Sequence, residues 1–324
     1  MSEARLHRNT GLDMVRATEA AAISAARWMG LGQRDEADRA ASAEMLRALD
    51  KLEMDGRIVL GEDSRVDGPP ELHAGRPVGT GRGIAVDVVI DPIDGRRLLA
   101  QGRAGAVSVA AVATRGSMWS PSPAAYMEKL VVNRAAAAAL VPECLDAPAA
   151  WTLALIARAK GKAVRDLTVF LLDRPRHHDL LDEIRAAGAR VVLADDGDIS
   201  GAVLAATPDG PVDLLIGVGG AAEGVIAACA VKALGGEMLA RLAPQSPEER
   251  ASLAEAGVET RRILSCADMV AGDQIFFVAT GITSGLLLAG VSFAHDRAST
   301  NSLILRCETR TRRSMHADHL ITAV

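Results

Sequence analysis

At 324 residues the chain exceeds what one hydrophobic core usually supports, so two domains, or one large α/β unit with an extension, are expected. Hydrophobic residues make up 49% of it and aromatics only 2%, so the core must be built from Ala, Val, Leu and Ile, and stacking boxes for an aromatic cofactor are not expected. The net charge of −5, with acids and bases interleaved, leaves no basic stripe for nucleic acid, and no run of about 18 apolar residues offers a membrane span.

In chain order the pattern opens on two amphipathic helices. Residues 11–29 place Leu12, Val15, Ala22, Ile23 and Ala26 near helical spacing, and 36–53 repeat it with Ala40, Met45, Leu46 and Leu49. Strands are predicted at Arg57–Gly61, Val86–Asp91, Ala106–Thr114 and Met127–Val132, with a Pro/Gly-rich loop at 67–83 that could hinge over a site. From Pro148 the rhythm becomes a regular alternation. LTVFLL (167–172) precedes a helix over 177–187, ARVVLA (189–194) precedes a helix from Asp198, and VDLLIGVGG (212–220) precedes a helix through Ala233. Such crossovers predict a parallel sheet with PRHH, DDGD and GVGGAAEG on one rim, at the strand C-terminal ends. IFFVATGIT (275–283) and SLILRC (302–307) read as strands free to rejoin either sheet. The expected division is 1–148 and 149–324, with strands at about 275–310 returning to the first sheet.

The chemistry-bearing segments follow from this layout. Pro92 holds Asp91 extended, Ile93 points into the core and Asp94 turns outward, so two carboxylates share one small volume. A divalent cation would relieve their repulsion, and hard oxygen ligands suit Mg²⁺ or Mn²⁺, with Glu62 and Asp38 able to complete the site. DPxD also fits a helix cap with solvated acids. GTGRG (79–83) and GVGG (217–220) each supply half a dinucleotide fingerprint, and neither completes it. GVGGAAEG is better read as a strand entering a helix N-terminus that can meet phosphate or sugar oxygen, with Glu223 as a cap or a metal ligand. Arg176 and His177 stand at a strand end where the guanidinium fork suits phosphate, although a surface helix start explains them equally well. Cys144, Cys229, Cys266 and Cys307 show neither zinc nor disulfide spacing and read as reduced thiols. With no apolar region near residue 1, the expected location is the cytoplasm.

Taken in order, RATEAAAISAARWMG, EADRAA, IVLGED, VGTGRG, VDVVIDPIDG, YMEKLVV, LDRPRHH, DDGD, GVGGAAEGV and ATGIT resemble the class II (GlpX-type) fructose-1,6-bisphosphatase family, from about residue 10 to about 320. The resemblance implies a two-domain layered α/β sandwich of the metal-dependent sugar phosphatase type. It assigns the metal chemistry to the first domain and substrate binding to the second. The implied activity is hydrolysis of the 1-phosphate of fructose 1,6-bisphosphate, or of sedoheptulose 1,7-bisphosphate. It implies metal ligation by Asp38, Glu62, Asp91, Asp94 and Glu223, with Glu62, Asp94 and Arg96 at the reacting group. Substrate binding falls to Tyr126, Arg176, His177, Asp196, Gly197, Asp198 and Gly220. A small-molecule sugar phosphate is the expected partner, without nucleic acid or membrane, in a homo-oligomer, dimer or tetramer.

The departures cluster at the chemistry. Arg96 stands where the family has Thr, Ser64 and Val66 replace acids, Ile84 replaces Asp, Arg39 replaces Gly and Ala222 replaces Pro. Arginine cannot act as a base near neutral pH. Arg96 therefore either substitutes for the charge of a metal ion or blocks the attacking water. The second case would make the chain a noncatalytic or regulatory sugar-phosphate binder, and repurposing for another phosphorylated polyol is a third possibility.

Overall fold

The structure, a computed structural model, describes residues 5–60 and 72–321. Helices α1 (Thr10–Ala26) and α2 (Arg34–Leu49) lead into β1 (Asp55–Leu60), β2 (Pro77–Val78), β3 (Ala85–Asp94), the short α3 (Arg96–Ala100), β4 (Val107–Thr114) and β5 (Tyr126–Val132). Next come α4 (Ala149–Lys160), β6 (Thr168–Leu172), α5 (His178–Ala186), β7 (Arg190–Ala194), α6 (Asp198–Ala206), β8 (Leu214–Gly220), α7 (Ala221–Leu234) and β9 (Glu237–Leu242). The remaining elements are α8 (Pro247–Glu255), β10 (Leu264–Ser265), α9 (Cys266–Met269), β11 (Ile275–Gly281), β12 (Ser292–Ala294), β13 (Arg297–Arg306) and β14 (Thr311–Leu320).

The chain divides into two compact units, one of Met1–Met118 with Gly272–Val324 and the other of Trp119–Ala271. In the first, the sheet runs β12-β13-β11-β4-β3-β1-β2, with β14 on the other side of β13. β1 and β3 are parallel and the other pairs antiparallel. The strands at 275–281 and 297–306 therefore belong to the first sheet, the former beside β4 and the latter beside the former. Helices α1 and α2 pack on one face of it, against Val88, Ile90, Val112, Phe276 and Ile304. The inner face of α1 is largely alanine (Ala17, Ala21, Ala25), and such small side chains let the helix lie close to the strands. Close approach also buries hydroxyls, which are satisfied in a chain: Thr18 Oγ1 and Ser302 Oγ each lie 2.8 Å from Thr280 Oγ1.

The second unit is a sheet of order β10-β9-β5-β8-β6-β7. β7, β6 and β8 are parallel, as their crossover helices require, whereas β5 runs antiparallel between β8 and β9. β5 thus groups with the second unit although it precedes Pro148, because both its hydrogen-bonding edges are filled there. Helices α4 and α5 cover one face through Leu153, Ile156 and Ile184 against Leu130, Val169 and Leu171. The other face meets α6 and α7: Phe170 lies against Gly201, and Met127 against Gly224. Each unit is therefore a layering of helices on a mixed sheet, the α/β sandwich expected of the sequence.

Candidate functional site

The first cluster is built by the segment Asp91-Pro92-Ile93-Asp94 at the end of β3. Proline has no N–H to donate, so the ladder to β4 breaks at Pro92, and the Ile93 N–H donates instead to Asp91 Oδ1 at 3.1 Å. The register records the result: Asp91 faces Val109 and Asp94 faces Val107, so β3 uses one residue more than β4 over this stretch. Residues three apart in a regular strand point to opposite faces, and the extra residue returns Asp94 to the face of Asp91. Ile93 goes to the helix side, into the core with Ile90. Both acids are buried, Asp91 at 2% and Asp94 at 4% exposure, which removes the reading of DPxD as solvated acids.

Gly95 then turns the chain into α3 with φ 92°, a left-handed conformation, and a Cβ there would press on Ala106 Cα at 3.2 Å. The turn places Arg96 at the first position of α3, and its Nη1 donates to Asp38 Oδ2 on α2 at 2.9 Å. Asp38 is itself buried. Glu62, Ser64 and Val66 lie outside the described residues. The donor chemistry at Asp91 and Asp94, buried carboxylate oxygen on a shared face, fits a hard divalent cation such as Mg²⁺ or Mn²⁺. Among the described residues, no group of three or more His, Cys, Asp or Glu side chains is gathered so as to hold a metal ion.

The second cluster lies on the rim of the other sheet, where β6, β7 and β8 end and the antiparallel β5 begins. Tyr126 is paired with Gly220 across β5 and β8. Arg176, in a 3₁₀ turn after β6, donates from Nε and Nη2 to the Val218 carbonyl at 3.2 and 2.8 Å, and its guanidinium stands 5.3 Å from the Tyr126 ring centroid. A guanidinium anchored on one edge and stacked on an aromatic ring is preorganised for an oxyanion.

His177 is arranged differently from the sequence expectation. Its Nε2 accepts the Val218 N–H at 2.8 Å, so the proton sits on Nδ1, which donates to the Leu172 carbonyl at 2.8 Å. Both ring nitrogens are taken up by main chain, and the imidazole ties the end of β6 to β8. Burial pushes its pKa below the ordinary imidazole value, with the Leu172 hydrogen bond partly opposing. Asp196 lies 3.5 Å from the Arg174 guanidinium, and Gly197 caps α6, which begins at Asp198.

Sequence reasoning assigned no role to Lys129. Its Nζ pairs with Asp198 Oδ2 and also donates to the Gly220 carbonyl at 2.9 Å, while the side chain is 1% exposed. Lys129 shares the parity of Met127 and Val131 along β5, so it points to the α6 and α7 side. A lysine on the apolar parity of a strand is the signal that could have found it. The glycines of GVGG make room for this pair. A Cβ on Gly219 would strike the Asp198 carboxylate, and one on Gly220 would strike the carboxylate of Glu223, which folds back over the start of α7. Glu223 itself is half-buried in the first turn of that helix.

Comparison with known proteins adds an independent finding. Residues 8–319 match the family described as bacterial fructose-1,6-bisphosphatase, glpX-encoded. The chain is 39% identical to a class 2 fructose-1,6-bisphosphatase of Haemophilus influenzae, over 98% of this chain and 97% of the relative. It is 38% identical to fructose-1,6-bisphosphatase 1 class 2 of Escherichia coli (strain K12), over 98% of this chain and 96% of the relative.

Proposed function

The chain belongs to the glpX-encoded bacterial fructose-1,6-bisphosphatase family, and from that premise we propose that it is a divalent-metal-dependent phosphatase that removes the 1-phosphate of a sugar bisphosphate. Fructose 1,6-bisphosphate is the first substrate, with sedoheptulose 1,7-bisphosphate next. The observation that carries this reading is the bulge at Pro92, which turns two buried carboxylates to one face of the sheet, where a cation would neutralise them. Asp91 and Asp94 are the proposed ligands in the first unit, with Glu62 from the segment outside the described residues. When bound, Mg²⁺ or Mn²⁺ supplies polarisation of the phosphoryl oxygen and a more acidic attacking water.

Each residue of the rim has its own part in this reading. Arg176, held by Val218 and Tyr126, binds the phosphate that is not cleaved. Asp196 accepts sugar hydroxyls, whereas Asp198 is engaged by Lys129 in a buried pair, and the main chain at Gly197 and Gly220 brackets the ligand between α6 and α7. His177 positions Val218, and so Arg176, through its two main-chain hydrogen bonds. The first unit supplies the metal chemistry and the second the substrate site, in a cytoplasmic homo-oligomer. No described helix is long and apolar enough to cross a membrane. The noncatalytic alternative is not favoured, because the relatives this chain matches along its length are named as phosphatases.

The test is phosphate release from a panel of sugar bisphosphates and inositol phosphates, with Mn²⁺ or Mg²⁺, by wild type and Asp91→Asn. Release from fructose 1,6-bisphosphate that vanishes with chelator and falls at least about a thousandfold in the variant is expected. Sugar-phosphate binding with no release from any substrate would replace the enzyme by a binder.

A further inference from the structure

Asp38, Asp91 and Asp94 are candidates for one cation, yet the structure divides them. Asp91 and Asp94 share a face at the bulge, whereas Asp38 accepts from the Arg96 guanidinium at 2.9 Å. The three do not gather into a group able to hold a metal ion among the described residues. We propose that Arg96 is an internal cation standing in for a metal ion at Asp38, so that this chain holds its divalent ion without Asp38. The inference rests on the metal dependence proposed above.

Local structure does not account for a cation at this position. Arg96 opens α3, where the helix dipole favours an acid, and the first turn of α3 contains none. The tertiary partner accounts for it: a carboxylate 3% exposed must be matched by a positive charge, and the guanidinium supplies one. The Arg96 side chain is 27% exposed, so its remaining N–H groups can reach water while Nη1 serves the buried oxygen. A divalent ion on the same carboxylate would stand close to the guanidinium in a poorly screened environment, and the two positive charges would repel. Arginine and metal ion therefore compete for Asp38, and the arginine is covalently fixed two residues after Asp94.

The experiment measures Mn²⁺ binding by calorimetry and by the electron paramagnetic resonance of free Mn²⁺, together with thermal unfolding with and without Mn²⁺ and no substrate. In wild type, Asp38→Asn should change Mn²⁺ affinity by less than about threefold, whereas Asp91→Asn should weaken it by about a hundredfold. Arg96→Gln should unfold at lower temperature without metal, recover on adding Mn²⁺, and bind one more ion than wild type. Equal losses in Asp38→Asn and Asp91→Asn, or an Arg96→Gln protein with unchanged stoichiometry and no recovery by Mn²⁺, overturn the inference while metal dependence stands. Absence of Mn²⁺ binding by wild type overturns the metal reading and this inference with it. Should Arg96→Gln fail to fold without metal, Asp38→Asn, which leaves arginine free to meet water, decides the question.

Discussion

Replacing Lys129 by Met keeps most of the side-chain volume and removes only the ammonium. The side chains of Lys129 and Asp198 are 1% and 11% exposed, so the carboxylate left behind cannot be rehydrated without opening the contact between β5 and α6. Removing one partner of a buried ion pair costs about 3–5 kcal/mol, most of it the uncompensated charge. The hydrogen bond from Nζ to the Gly220 carbonyl is lost with it. Against a domain stability of about 5–15 kcal/mol this is a large fraction, and it moves a guanidinium chloride midpoint down by about 1 M. The assay is equilibrium unfolding followed by tryptophan fluorescence in a Trp28→Phe background, so that the signal comes from Trp119 and Trp151 of the second unit. Asp198→Asn alone strands the lysine instead, and the double variant removes both charges. It should therefore be more stable than the sum of the single costs by about 2 kcal/mol. A cost below about 1 kcal/mol for Lys129→Met, or strict additivity in the double variant, would refute the buried pair as drawn.

Arg176→Ala should raise the KM for sugar bisphosphate about tenfold or more and change kcat by less than about threefold, because a phosphate held equally in ground and transition states affects binding alone. Steady-state phosphate release measures this, and a collapsed kcat at unchanged KM would put Arg176 at the reacting phosphoryl group. His177→Gln should cost about 1–3 kcal/mol at pH 7 through the two buried hydrogen bonds. Because burial lowers the folded-state pKa, the unfolded wild type takes up a proton first as pH falls through about 6.5. The stability advantage of wild type should therefore shrink between pH 7 and pH 5, and an advantage that grows on acidification would show that the imidazole is charged in the fold.

What the sequence by itself determined is local chemistry. Asp91-Pro92-Ile93-Asp94 contains its own bulge, because the missing N–H of Pro92 and the accepting oxygen of Asp91 are neighbours whatever the rest of the chain does. The alternation of strand and helix after residue 167 likewise places the PRHH, DDGD and GVGG segments on one rim, because parallel strands with crossovers carry their C-terminal ends to the same side. Partners distant in sequence were a different matter. Arg96 and Asp38 lie 58 residues apart, and Lys129 and Asp198 lie 69 apart. Periodicity says which face of its element a side chain takes, and leaves open which element will cover that face. β5 looks like one more strand of the opening segment until β8 and β9 supply its edges, and that pairing also buries Lys129 beside α6. β9, β14 and α8 carry no periodic signal strong enough to name them beforehand. His177 likewise looks like a ligand-facing histidine in sequence, and only the tertiary fold shows both its nitrogens engaged by the ends of two strands. The short segment thus fixes where the carboxylates point, but the charge each meets depends on long-range packing, since desolvation and Coulomb energy are set by the neighbours that close over the group.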